Sequence, residues 1–358
     1  MSDDFELEKN TDTVCCPSCG AQLTYDIATG KLKCDHCGHT QEIENNDSVE
    51  RRQLTDDILR QKTEWTEGTV YRCDQCGAKG VLHKNSLSMP CPFCGSTNIV
   101  SASELVGLRP DAVLPFNFNG DRARAIFEKW ISRKWLAPRH FKTADIREHI
   151  GGLYLPSWSF TAYVEALYKG TLGKTVTTSS RSMNGTIRYN THIRYFNVSG
   201  VINQQYNDHL VPSATQISPI NFNRLLPFNL TVAKAYKPEY LTGIPTEHYS
   251  RDLGPCFDDF STFIRRDLRQ KIMNKHGADT VRRLDINLNY RDKKFNYLLL
   301  PIYVAHYLYG EKNFNFFING ISGKIVGKYP RSRIKILLLS LLGITIVGVV
   351  GFLFWYFR

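Results

Sequence analysis

Four Cys-X-X-Cys pairs near the N-terminus constrain the fold more than any other feature of this chain. They form two sets of four, which are Cys16, Cys19, Cys34 and Cys37, then Cys73, Cys76, Cys91 and Cys94. Each cysteine of the second set follows its counterpart by 57 positions (16 to 73, 19 to 76, 34 to 91, 37 to 94). A glycine follows the second cysteine of every pair, where a tight turn requires a positive φ. The spacing predicts two zinc ribbons, with these eight cysteines as metal ligands and two structural zinc ions as cofactors.

Redox chemistry and a disulfide framework are the alternatives for these cysteines. A redox motif of the thioredoxin type uses one Cys-X-X-Cys pair in a βαβ unit, whereas here four pairs are separated by hairpin-length loops. Residues 1–8 are acidic where an export signal would be basic, which favours a reducing cytosol. Both alternatives are therefore weaker than zinc. Cys15 and Cys256 are left over, and we interpret both as ordinary thiols.

The C-terminal segment is the second strong signal. Residues 336–357 carry no charged side chain, and a helix of that length crosses about 30 Å of hydrocarbon. We predict one transmembrane helix over 334–357; a buried core helix would be shorter and would keep a polar stripe. Basic residues precede the segment and only Arg358 follows it, so the positive-inside rule predicts a single-pass protein of the cell membrane with its N-terminal domains in the cytoplasm. The preceding basic residues are Lys324, Lys328, Arg331, Arg333 and Lys335.

Composition and charge divide the rest of the chain. We predict a first ribbon over 1–43, a charged linker over 44–66, a second ribbon over 67–104 and a larger cytosolic domain over 105–330. The linker is charged and poor in aromatic residues, which is typical of a solvated connector. The net charge of +11 is diffuse, and attraction to an anionic membrane surface accounts for it as well as nucleic acid does.

The larger domain alternates helix and strand patterns, which predicts an α+β fold with a degenerate internal repeat. Similar Leu-Pro-Phe-Asn stretches at 113–117 and 225–229 are each followed by an amphipathic helix, roughly 120–136 and 257–275, and then by strand patterns. A further hairpin is predicted to turn at Asn319-Gly320. The apolar stripes predicted to be buried are Ile126, Phe127, Trp130, Ile131 and Trp135 on the first helix, and Phe260, Phe263, Ile264, Leu268 and Ile272 on the second.

The candidate catalytic motifs in the sequence each lack a residue that the motif requires. Gly173-Lys174-Thr175 resembles the end of a phosphate-binding loop, but Tyr168 occupies the position where that motif requires glycine. The histidines include no His-Glu-X-X-His motif. We therefore predict no catalytic residues, no cofactor-binding residues beyond the zinc ligands, no small-molecule substrate and no enzymatic activity.

At this point the chain resembles a family of bacterial membrane-anchored double zinc-ribbon proteins. The resemblance rests on the paired Cys-X-X-Cys motifs together with stretches at 107–116, 134–138, 153–158, 198–200 and 319–324. Members of that family are often labelled as transcription factor IIB-type zinc ribbons or as primosomal helicase-like proteins. The resemblance implies association with flotillin-like SPFH-domain proteins and phage-shock-protein-A-type proteins, held at the membrane during envelope stress.

Two functional classes follow from these observations. The first is a membrane-anchored adaptor, or scaffold, that binds cytosolic or peripheral membrane proteins of the SPFH or phage-shock type at the inner face of the membrane. The second is a membrane-tethered nucleic-acid-binding protein that uses its ribbons. Nucleic-acid binding requires a basic, aromatic-studded ribbon face. Acidic residues such as Asp26 and Asp74 interrupt the ribbon lysines, so the adaptor is the preferred hypothesis.

Overall fold

The computed structural model describes residues 14–45, 47–60, 69–82, 91–96, 99–101, 107–139, 141, 150–181, 187–309 and 312–358. The strands are β1 (Leu23–Asp26), β2 (Lys31–Cys34), β3 (Thr40–Gln41), β4 (Arg52–Gln53), β5 (Thr69–Cys73), β6 (Lys79–Leu82), β7 (Ile99–Ser101), β8 (Ala112–Val113), β9 (Gly151–Arg181), β10 (Ile187–Pro212), β11 (Lys234–Ala235), β12 (Thr246–Glu247), β13 (Thr280–Tyr309), β14 (Lys312–Asn319) and β15 (Ile325–Gly327). The α-helices are α1 (Asp56–Arg60), α2 (Gly120–Ser132), α3 (Pro219–Leu225), α4 (Leu253–Lys275) and α5 (Arg333–Tyr356), and short 3₁₀ turns cover Leu230–Val232 and Pro238–Leu241. The predicted architecture is confirmed: two small four-cysteine β units, a large α+β body, and a C-terminal helix long and apolar enough to span a membrane.

Three very long strands organise the body. β9 pairs antiparallel with β13 along one edge and with β10 along the other. Among the described residues the sheet contains 12 strands, and its main path runs β11, β8, β13, β9, β12, β6, β5 and β7. β10 lies beside β9, β14 and β4 lie beside β13, and β15 lies beside β14. A separate sheet of three strands, β1, β2 and β3, belongs to the first ribbon.

The part of the sheet formed by the start of β9 and the later part of β13 is buried on both faces. On one face α2 and α4 pack over aromatic residues, with Phe160 stacked on Phe260 at 5.4 Å and Phe127 in edge contact with Phe316 at 5.2 Å. On the other face, Leu153 and Leu155 of β9 pack with α3 and with the second ribbon. Since strand side chains alternate between faces, the continuous apolar run at the start of β9 is what burial on both faces requires.

The two predicted amphipathic helices form, with shifted ends. The second stripe is buried as predicted except Phe263, which is partly buried, and α4 begins earlier, at Leu253. The first helix ends at Ser132 rather than near 136, and the prediction that Trp135 is buried is wrong, because its side chain is 58% exposed. Trp135 comes after the helix end at the Arg133 C-cap and shortly before Pro138, which disfavours helical backbone just ahead of it. Its side chain therefore does not share the helical face on which Phe127 and Ile131 are buried.

Residues 47–60, within the predicted linker, lie against the body. β4 pairs antiparallel with β13, and the Leu54 side chain is buried. Arg51 donates two hydrogen bonds to the Asp208 carboxylate, at 2.9 and 2.7 Å, and Arg52 forms an ion pair with Asp111. The rest of the predicted linker that follows, residues 61–66, lies outside the described residues.

The late hairpin forms between β14 and β15. Its loop is closed by the Asn319 N–H donating to the Lys324 carbonyl at 2.9 Å, while the Asn319 side-chain oxygen accepts from Ile321 and Ser322 N–H groups. Gly323, not Gly320, takes the positive φ, at 72°. The predicted internal repeat stays a prediction, although α2 precedes β9 much as α4 precedes β13.

Candidate metal centres

All four Cys-X-X-Cys turns have the same backbone geometry. In each, the glycine N–H donates to the carbonyl of the first cysteine, at 2.8 to 2.9 Å. Gly20, Gly38, Gly77 and Gly95 have φ between 71° and 75°, a region that costs an L residue strain and glycine none. The glycine after each pair therefore permits the turn that brings both thiols of a pair to the same side.

The sulfur atoms form two clusters that fit zinc. Within each set of four, all Sγ atoms lie within 4.8 Å of one another. The Cys16–Cys37 and Cys19–Cys34 sulfur distances are both 3.5 Å, and the two corresponding distances in the second cluster are 3.6 Å. A tetrahedron of sulfurs about 2.3 Å from zinc has edges of about 3.8 Å. The chain thus has two four-cysteine sites compatible with two structural zinc ions, and four thiolates leave no coordination position for a substrate.

The environments of the two clusters differ. In the first, Cys19 and Cys37 are exposed, and backbone N–H groups, chiefly that of Cys37, lower the pKa of Cys34 below the usual range for a thiol. In the second, the corresponding Cys76 and Cys94 are half-buried, and desolvation by burial raises the pKa of Cys91 to about 11. The body therefore shields the second site from water more than the first.

The first ribbon contacts the body through its hairpin. The Tyr25 N–H of β1 donates to the Thr242 carbonyl at 2.9 Å, and the Tyr25 ring meets the Tyr240 ring edge-on at 5.7 Å. Asn45, just after the ribbon, donates to the Ala235 carbonyl at 2.8 Å. A cleft of about 290 Å³, lined partly by Lys31 and Tyr240, lies at this junction. The ribbon is thus docked on the body while its sheet remains separate.

The second ribbon is part of the body's sheet. β6 pairs antiparallel with β12, placing Glu247 opposite Gly80, and β12 pairs parallel with β9 at Tyr154. The Gln216 side chain also donates to the Cys76 carbonyl at 3.2 Å. The backbone ladder therefore runs without interruption from the second metal site to the central strands.

A buried carboxyl group lies at this junction, although no sequence motif predicted it. Glu247 is 1% exposed, and among the described residues neither of its carboxylate oxygens has a hydrogen-bond partner. Burial raises the pKa of Glu247 well above its ordinary value. Its local sequence, Pro-Thr-Glu-His, resembles a loop, and only the pairing of β12 between β6 and β9 reveals the burial.

The attachment of the C-terminal helix was also missed. The Ser332 N–H donates to the Leu136 carbonyl at 2.9 Å, and the Lys335 ammonium donates to the carbonyls of Trp135 and Ala137 at 2.7 and 2.8 Å. Trp135, largely exposed, therefore lies beside the first turn of α5, and Trp is enriched where membrane meets water. The stretch at 134–138 was part of the family resemblance, but no sequence signal linked it to α5.

Comparisons with known proteins support the assignment of the first zinc ribbon. Residues 9–45, which include the four cysteines of the first ribbon, match the family described as "Trm112p-like protein". Over 328 residues the chain is 28% identical to "Uncharacterized protein YdjG" of Bacillus subtilis (strain 168), a match that covers 90% of this chain and 91% of the relative. No solved structure matches the chain.

Proposed function

We propose that this protein is a membrane-anchored zinc-ribbon adaptor, without enzymatic activity, that holds partner proteins at the inner face of the membrane. The observation that carries the proposal is the attachment of α5, whose first turn is hydrogen-bonded to the 135–137 segment that follows α2. Because the anchor begins at the body itself, the ribbons and the sheet are held at a set distance from the bilayer. A partner bound there gains from a high local concentration.

The closed metal sites support a structural rather than catalytic role. Four thiolates around each ion leave nothing for a substrate to bind, so zinc would stabilise the ribbons as rigid surfaces. The exposed side of the first ribbon, around Cys19 and Cys37, is one surface available to a partner.

The orientation and the partners are parts of the same proposal. Lys324, Lys328, Arg331, Arg333 and Lys335 precede or begin α5 while only Arg358 follows it, which supports a cytoplasmic body. The family resemblance supports SPFH-type and phage-shock-protein-A-type proteins as partners, with a role in envelope stress.

The test is purification of the full chain from native membranes in mild detergent, with mass spectrometry of bound proteins and ultraviolet absorbance for nucleic acid. A chain ending at Ser332 is the matched control, because no residue of α5 is buried and its removal exposes no core. We expect the full chain to bring an SPFH-type or phage-shock-type protein to the membrane fraction, and the shortened chain to bind the same protein in the soluble fraction.

Two outcomes would contradict the proposal. A partner that stays at the membrane when the chain ends at Ser332 would show that this protein does not hold it there. Co-purification of nucleic acid without a protein partner would favour the nucleic-acid hypothesis instead.

A further inference from the structure

The outer half of the β9–β10 hairpin extends beyond the rest of the sheet. β13 begins at Thr280, opposite Gly173, so the strand segments 174–181 and 187–194 pair only with each other among the described residues. Two-stranded ribbons are marginally stable in water, and they need a third strand or a packed apolar face. This part of the fold therefore calls for a covering partner.

On one face of this hairpin β10 carries large apolar side chains opposite small polar residues and Arg181 of β9, and the pattern is visible in the sequence. Ile-Arg-Tyr occurs twice, at 187–189 and 193–195, and an even spacing on a strand places both copies on the same face. Ile187, Tyr189, Ile193 and Tyr195 are 53%, 73%, 45% and 45% exposed. The intervening Arg188, His192 and Arg194 point to the opposite face, because the register with β9 is continuous from Ile187 to Tyr206.

The same face continues toward the body without a covering helix among the described residues. Leu167 and Val201, which are paired across β9 and β10, are 50% and 48% exposed. On the other face of these strands, Tyr168 and Val198 pack against Ile272 of α4. We call the exposed side, carried by residues 167–179 and 187–201 with the adjoining part of β13, the apolar sheet face.

From these observations we propose that the apolar sheet face is the contact surface between two copies of this chain. Packing face to face about a two-fold axis would bury both apolar stripes at once. The face measures about 40 Å by 10 to 15 Å from strand spacings, so two copies would bury on the order of 1,000 Å² or more, the size at which specific interfaces begin.

Charge also favours a second copy. Of the exposed arginines of the hairpin, Arg188 and Arg194 lie on the opposite face, whereas Arg181, which is paired with Ile187, lies at the outer end of the apolar side. Where the apolar sheet face is polar, it carries both signs, with Lys169 and Asp285 on paired positions of β9 and β13. Two copies in opposite directions can therefore place unlike charges together.

Other occupants fit less well. Single-stranded nucleic acid needs a continuous run of basic groups beside aromatic rings; Arg282 lies over the Tyr195 ring at 5.2 Å, but Asp285 interrupts the cations of this face. A membrane would lie at the other end of β9 from this hairpin. The attachment of α5, beside α2, is near the start of β9, and the strand runs away from it. From Gly151 to Gly173 the strand covers about 70 Å.

The test is the molar mass of the full chain in mild detergent, measured by light scattering across a concentration series. We expect a dimer for the unchanged chain and for His192→Glu, and a monomer for Ile193→Glu, with a dissociation constant raised about tenfold or more. The two substitutions introduce the same charge at adjacent positions on opposite faces. Zinc content near two per chain, together with an unchanged circular dichroism spectrum and melting temperature, shows that each variant is folded.

Cross-linking supplies a second measurement. In a Cys15→Ser chain with its zinc sites loaded, Tyr189→Cys should link two copies through a short bis-maleimide, while Asn190→Cys on the opposite face should not. A chain that is monomeric at every concentration would overturn the proposal, as would equal dissociation by Ile193→Glu and His192→Glu. It would also be overturned if the apolar sheet face of a monomer became protected on adding anionic vesicles, nucleic acid or another protein.

Discussion

The two zinc ribbons share their cysteine spacing and their turns but differ in how they join the molecule. The first forms a separate sheet and contacts the body through Tyr25 of the β1–β2 hairpin. In the second ribbon, strand β6 is part of the body's sheet and pairs with β12. The same metal motif therefore serves as a peripheral module in one place and as part of the core in the other, depending on whether a ribbon strand finds an edge to extend.

This difference predicts different consequences of losing each metal. Structural zinc supplies roughly 10 to 16 kcal/mol of folding free energy in small zinc modules. In the first ribbon that free energy stabilises a module that can unfold locally. In the second it also supports the sheet that carries β9 and β13, so its loss should spread.

The largest effect is expected from Cys91→Ser. The substitution removes a buried ligand of the second cluster, and we expect zinc to fall from about two to about one per chain. Because β6 and its neighbours would no longer cover that side of the core, the melting temperature of the body should fall by about 10 °C or more. Metal analysis and circular dichroism measure both quantities. An unchanged melting temperature would show that the second ribbon is as independent as the first.

Cys34→Ser makes the corresponding change in the first ribbon. We expect the same loss of about one zinc ion, with unfolding confined to the first ribbon and the melting temperature of the body changed by no more than about 2 °C. Cys15→Ser is the control for both variants, since it keeps all eight predicted ligands. Unchanged metal content in Cys34→Ser would refute the ligand assignment.

Tyr240→Ala should separate docking from folding in the first ribbon. Tyr240 is buried against Tyr25, and removing a buried aromatic ring costs about 3 kcal/mol. We expect faster hydrogen exchange across the first ribbon while both zinc ions remain bound. Tyr240→Phe keeps the ring and loses only the hydroxyl that accepts from Asn45, so it should have a smaller effect. Loss of zinc from Tyr240→Ala would mean that the ribbon cannot fold without the body.

The smallest effect is expected from Glu247→Gln, and it depends on pH. Burial raises the pKa of Glu247, so the neutral carboxyl contributes stability fully below its ordinary pKa, and that stability is lost as pH rises through the raised pKa. We therefore expect Glu247→Gln to be more stable than the unchanged chain at pH 8 to 9, with a gain of about 1 kcal/mol, and no more stable at pH 5.

Glu42→Gln is the control, because Glu42 is exposed and a hydrogen bond and charge from Lys31 lower its pKa. It should produce no gain at alkaline pH. Equal melting curves for Glu247→Gln and the unchanged chain from pH 5 to 9 would show that Glu247 is not buried at the junction.

The sequence predicted the structure most accurately where the signal is local. The glycines after each cysteine pair, the uncharged run before Arg358 and the stripe of α4 each depend on residues within a few turns or one hairpin. It failed at Trp135, where a helical stripe was extended past the helix end. It also missed the burial of Glu247 and the anchorage of α5, since both depend on partners far along the chain.

Local sequence patterns are enough to locate the metal ligands and the segment that can enter a membrane, because ligand spacing, turn glycines and the absence of charge act over short distances. Long-range strand pairing is needed to show which ribbon joins the central sheet, which carboxyl is buried between β6 and β9, and which face of the long hairpin is left exposed. The alternation of residues along a strand shows which of its side chains can be buried. Which residues cover those side chains depends on the neighbouring strand, as with β12 beside β6, and that strand can come from a distant part of the chain.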